Sequence, residues 1–152
     1  MKDEVEICWR FYLENCTMAR HHETLRTALT TIVIALAAAG IGLLKPETTP
    51  SVRLALMSLV IGFGLFGAIV SRKHHQKLSE HLQRASAYRA HIDSLLPDAR
   101  LVEIKNKVEA SEKLKFNHIS RYSLGTLWTL VNVGVAVAGI LLGLAPFIFL
   151  VR

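Results

Sequence analysis

The sequence predicts an all-α membrane protein with three transmembrane helices. Three uncharged blocks carry that prediction. Residues 27–44 and 54–71 hold 18 uncharged residues each, and residues 122–151 hold 30, every block being closed on both sides by Lys or Arg. A spanning helix needs about 20 mostly apolar residues, so each block is long enough. The third has length to spare for a tilt or a start among the headgroups. The 152-residue chain is 51% hydrophobic with a mean hydropathy of +0.35, and the apolar excess is concentrated in these blocks.

Residues 1–26 form the first element. Val5, Cys8, Trp9, Tyr12, Leu13 and Cys16 recur at helical spacing, which predicts an amphipathic helix feeding the first span. Trp9, Phe11 and Tyr12 suit a membrane interface. They equally suit packing on the cytoplasmic part of the chain. The acidic start, Met1 to Glu6, and the late first apolar block do not fit a signal peptide. Cys8 and Cys16 would lie about 12 Å apart along one helix, too far for a disulfide, so both are expected reduced.

Residues 27–71 comprise the first two spans and a short external turn at 45–53, where Pro46 and Pro50 stop one helix and start the next. After the second span no breaker occurs before Pro97. Leu78, Leu82, Ala85, Ile92 and Leu96 keep helical spacing, so one helix is expected from 53 to 96, roughly 65 Å long, of which the bilayer takes about 30 Å. Pro97 to Arg100 turns the chain. Leu101, Ile104, Val108 and Leu114 then mark a returning helix that enters the third span, 122–151, at Tyr122. Segment 72–121 is therefore a basic cytoplasmic helical hairpin. It is too small to build much core alone, which favours a homo-oligomeric bundle, with a tetramer as the leading choice.

Charge sets the expected orientation. Segment 72–121 carries eleven of the 18 Lys and Arg residues and six of the 12 acidic ones, against two basic residues in the 45–53 loop. The positive-inside rule places 72–121 and the N-terminus in the cytoplasm and the C-terminus outside.

The stretch IGFGLFG at 61–67 contains G-x-G-x-x-G, the spacing of a dinucleotide-binding loop. That loop needs a strand before it and a helix opening after it. Here the glycines fall inside a span, where they let helices approach closely. The third span carries Gly125, Thr129, Asn132, Ala136, Gly139 and Gly143 at spacings of 4, 3, 4, 3 and 4. Asn132 is the only carboxamide in any span. A small and polar face of this kind either lines a pore in an oligomer or packs tightly with one interhelical hydrogen bond.

The basic hairpin has a second stripe. His74, Lys77, His81, Arg84, Tyr88 and His91 are spaced 3, 4, 3, 4 and 3. Copies of this face around an axis would form a positive ring that attracts phosphates, and interleaved aromatic and basic groups suit stacked single-stranded bases. The alternative is a solvated face near anionic lipid headgroups. The pairs His21-His22 and His74-His75 do not chelate a metal by themselves, because adjacent helical residues point about 100° apart. Neither a metal nor a cofactor is expected. No serine elbow, H-E-x-x-H or C-x-x-C is present and the carboxylates are scattered, so an enzyme is not expected.

The layout has a resemblance. An aromatic helix with Trp9 and Tyr12, then Arg20-His-His-Glu-x-x-Arg26 running into a span, then a second span and a basic helical segment, resembles the SLATT-type membrane effectors of bacterial defence. It also resembles the channel effectors of nucleotidyltransferase-linked antiphage systems such as Hailong. The resemblance covers residues 5–95, and the third span is additional to the two such proteins usually carry. It implies a pore in the bacterial inner membrane, gated by a nucleotide or short single-stranded nucleic acid made by a partner nucleotidyltransferase, whose opening depolarises the cell and arrests growth. The competing expectations are a membrane-anchored module that recruits a cytoplasmic partner, and a holin-like or toxin-like pore without a ligand.

Overall fold

The structure, a computed structural model, describes residues 2–45, 47–96, 100–115 and 123–150, with the side chains of 113 and 145–150 excepted. The expected reversal at 97–99, the entry into the third span at Tyr122 and the last residues of that block lie outside the described residues. Four helices are described: α1 (Lys2–Gly42), α2 (Pro50–Leu95), α3 (Leu101–Lys115) and α4 (Leu124–Leu150), with no strand among the described residues. Three of them are long and apolar enough to cross a membrane: α1, α2, and α4 over Leu124–Leu144.

Local chemistry explains where the helices begin and end. Asp3 and Glu4 sit in the first turn of α1, where negative charge meets the positive end of the helix dipole. Beyond Gly42, the Thr48 hydroxyl accepts a hydrogen bond from the Lys45 amide (2.9 Å). Pro50 then opens α2, at a first-turn position where its missing N–H costs nothing. Just before α3, Arg100 adopts a φ of 48°, and the Asp93 carboxylate near the end of α2 accepts from the Leu101 and Val102 amides (2.5 and 3.4 Å), capping α3.

The chain divides into two units, Met1–Thr24 with His74–Ser123, and Leu25–Lys73 with Leu124–Arg152. In the first, α1 and α2 run antiparallel, as the pairs His22–His74, Asn15–His81, Phe11–Tyr88 and Glu4–His91 show. Cys8, Asn15 and Ala19 of α1 and Ala85 and Ile92 of α2 are its buried residues. Both cysteines are free, with Cys8 buried.

In the second unit the segments of α1, α2 and α4 form a three-helix bundle whose interior is small and partly polar. Arg26, Thr30, Val33, Ala37, Met57, Val60, Gly64, Gly67, Ser71, Gly125, Asn132, Ala136 and Gly139 are buried, Arg26 being the one large charged side chain among them. The large apolar side chains point outward, with Leu54, Ile69 and Leu141 each more than 60% exposed. Small residues inside and bulky apolar ones outside is the arrangement that lipid, not water, accommodates.

Candidate functional site

The stripe on α4 is turned into its own chain. A Cβ placed on Gly64 would meet the Ala136 backbone nitrogen at 2.6 Å, so α2 and α4 approach almost backbone to backbone there. Gly139 lies under Ile61 and Val60, Gly143 lies beside Met57, and Gly67 leaves the space that Asn132 fills. Gly125 is buried, and Thr129 is half-buried and donates to the Gly125 carbonyl (3.0 Å). Of the G-x-G-x-x-G glycines, Gly64 and Gly67 make close contacts and Gly62 has nothing within 4 Å of a Cβ. Pore lining by this face would require α4 to part from α2.

Asn132 is wholly buried. Its amide nitrogen donates to Thr30 Oγ1 of α1 (3.1 Å) and to the Trp128 carbonyl (2.8 Å). Its Oδ1 has no hydrogen-bond partner, and neither does the buried Ser71 hydroxyl. Nothing in the sequence of the first span marks Thr30 as the partner, because that requires the register between two helices.

The basic stripe on α2 is divided. His74, His81 and Tyr88, seven residues apart, face α1. The His74 and His22 Nδ1 atoms are 3.1 Å apart, the His81 Nδ1 is 2.9 Å from Asn15 Oδ1, and Tyr88 stacks on Phe11 with centroids 5.4 Å apart. Lys77, Arg84 and His91 stay exposed; Lys77 pairs with Glu80 (2.8 Å) and His91 with Glu4 (3.4 Å). The cause is the heptad. Residues 74, 81 and 88 belong both to the basic stripe and to the seam 74, 78, 81, 85, 88 and 92, which packs on α1.

His22 stands out in the sequence only as half of the His21-His22 pair, and nothing in the spacing points to its partners across the helices, His74 and His81. Its ring lies 5.4 Å from that of His74 and 5.5 Å from that of His81. A 3.1 Å contact between two Nδ1 atoms is a hydrogen bond only if one nitrogen carries a proton and the other does not. Burial, then the neighbouring charges of His74, His81, His21 and Lys77, holds the His22 imidazole below its ordinary pKa of 6.5. Glu80 is held below the usual carboxylate range, first by its hydrogen bond to Lys77. No group of three or more ligating side chains among the described residues could hold a metal ion.

A second site lies where α3 returns along the first unit. Trp9 and Tyr12 of α1, Arg89 and Ile92 of α2, and Leu101, Ile104, Lys105, Val108 and Glu109 of α3 line an open-sided cavity of about 490 Å³. The Trp9 and Tyr12 rings are stacked at 5.2 Å. The Tyr12 phenol is pushed above its ordinary pKa, chiefly by its hydrogen bond to Cys16, and stays neutral. No protein-family model, curated protein or solved structure matches the chain.

Proposed function

We propose that the chain is an oligomeric ion channel of a bacterial inner membrane, most simply a tetramer, with its N-terminus in the cytoplasm and its C-terminus outside. Its basic helical unit receives a nucleotide or short single-stranded nucleic-acid signal, the product of a nucleotidyltransferase, and opening depolarises the cell. The observation that carries the reading is Asn132, wholly buried in an apolar bundle with its Oδ1 unpartnered. An unpaired buried polar group costs roughly 1–3 kcal/mol. Asn132, Thr30 and Ser71 would all be satisfied by water if the helices parted, so the packed bundle has a hydrated alternative to which a signal can shift it. Arg84 is exposed for an anionic ligand, and Lys77, exposed but paired with Glu80 at 2.8 Å, would have to exchange that carboxylate for it.

The specific observation favouring a second reading, a membrane-anchored interaction module, is that packing on α2 accounts for much of the α4 stripe without a pore. Ion flux through purified protein in liposomes separates the two. Flux switched by oligonucleotides or cyclic nucleotides supports the gated channel. Flux indifferent to them means a ligand-free pore, and no flux under any condition means the anchored module.

A further inference from the structure

The cavity in the first unit has its own chemical logic, separate from ion conduction. Its volume of about 490 Å³ falls within the roughly 300–1,000 Å³ of small-molecule sites. Its walls are mostly aliphatic and aromatic, and three charged groups stand on them. Lys105 and Glu109 neutralise one another at 3.1 Å. That leaves Arg89. One of its terminal nitrogens donates to the neutral Ser86 hydroxyl (3.3 Å), and its Nε is buried with no hydrogen-bond partner. A guanidinium beside an apolar cavity, with a donor unused, is incomplete without an anion. The adjoining Trp9 and Tyr12 rings are stacked on one another, and the outer face of that stack is flat apolar surface of the kind on which another ring stacks.

We propose that this cavity binds a small aromatic anion, its flat ring against Trp9 and Tyr12 and its phosphate or carboxylate on Arg89. Arginine suits both groups because its fork can meet two oxygens at once. The ring comes either from a nucleotide or from an aromatic acid, and the two share this chemistry.

Calorimetric titration of the full chain in nanodiscs tests the inference with three probes: adenosine 5′-monophosphate, 2-naphthoate and laurate. One equivalent of the first or second per chain is expected, with laurate at least tenfold weaker. Arg89→Gln should weaken binding about tenfold or more, the scale of a lost charged hydrogen bond. Trp9→Ala should weaken it about fivefold or more, as a lost stacking partner does. Lys107→Gln removes an equal charge from a residue that pairs with Glu103 instead and should leave affinity within about twofold. Tighter binding of the nucleotide identifies that source; tighter binding of naphthoate identifies the acid. Should Arg89→Gln fail to assemble, naphthoate must still displace the nucleotide from the unmodified chain. No heat with any probe, laurate binding as well as naphthoate, or unchanged affinity in Arg89→Gln overturns the proposal. Binding here without nucleotide-switched flux would leave the cavity standing and remove the gated channel; switched flux surviving in Arg89→Gln without cavity binding would do the reverse.

Discussion

Replacing Gly64 with alanine tests the bundle most directly. The added Cβ would lie 2.6 Å from the Ala136 backbone nitrogen and 2.9 Å from its Cα and Cβ. Backbone cannot swing aside as a long side chain can. Restoring ordinary contact requires α2 and α4 to part locally by roughly 0.8 Å. A gap of that size forfeits roughly a quarter to a half of the dispersion attraction of each contact it opens. Overpacking of this kind costs about 1–3 kcal/mol, which lowers the Tm of a chain this long by roughly 3–9 °C. Gly62→Ala is the internal control. It stands two residues away with nothing within 4 Å of the new methyl, and alanine is the better helix former by about 1 kcal/mol. Thermal unfolding of both variants in the same detergent should therefore move in opposite directions. Equal midpoints for the two would refute the placement of α4 against this face of α2.

Two further outcomes follow from the same contacts. A double-mutant cycle of Thr30→Val and Asn132→Ala should return a coupling of about 0.5–1.5 kcal/mol in unfolding experiments, the range for one interhelical hydrogen bond in a membrane bundle; additive variants would mean that the 3.1 Å bond contributes nothing. The histidine seam sets a pH dependence. The neutral form of His22 is favoured in the folded chain, so the unfolded chain binds more protons and stability rises with pH. The contribution is fully present above the ordinary value of 6.5 and is lost as pH falls below it through the folded value. His22→Gln should flatten the fall in Tm on acidification, and a fall as steep as in the unmodified chain would show that His22 is not its source.

How far the sequence reveals this molecule differs from element to element. Helix α2 was legible to within three residues, expected over 53–96 and found over Pro50–Leu95, because nothing breaks the chain between Pro50 and Pro97 and the apolar spacing persists throughout. The α4 stripe was legible as a face but not as a contact: small residues announce close approach without saying what approaches. The basic stripe on α2 was misleading as a single surface. Residues 74, 77, 81, 84, 88 and 91 share a face of the isolated helix, yet a seam offset by one position at 78, 85 and 92 turns 74, 81 and 88 onto α1. Choosing between two nearly coincident heptads needs the partner helix. The same register brings His22 to His74 across 52 residues of chain, and the cavity at Arg89 exists only because α3 returns past Trp9. Both are long-range facts that no local spacing encodes.

The fit of Asn132 into the space at Gly67 binds the histories of two positions 65 residues apart. A methyl at 67 would overlap Asn132 Oδ1, so growth at 67 forces the carboxamide to swing aside, away from its bonds to Thr30 and the Trp128 carbonyl, or to give way to a smaller group. Shortening 132 asks no steric change of 67. Sequence drift at this pair is thus biased in its order, with a shortened residue at 132 beside glycine at 67 as the favoured intermediate.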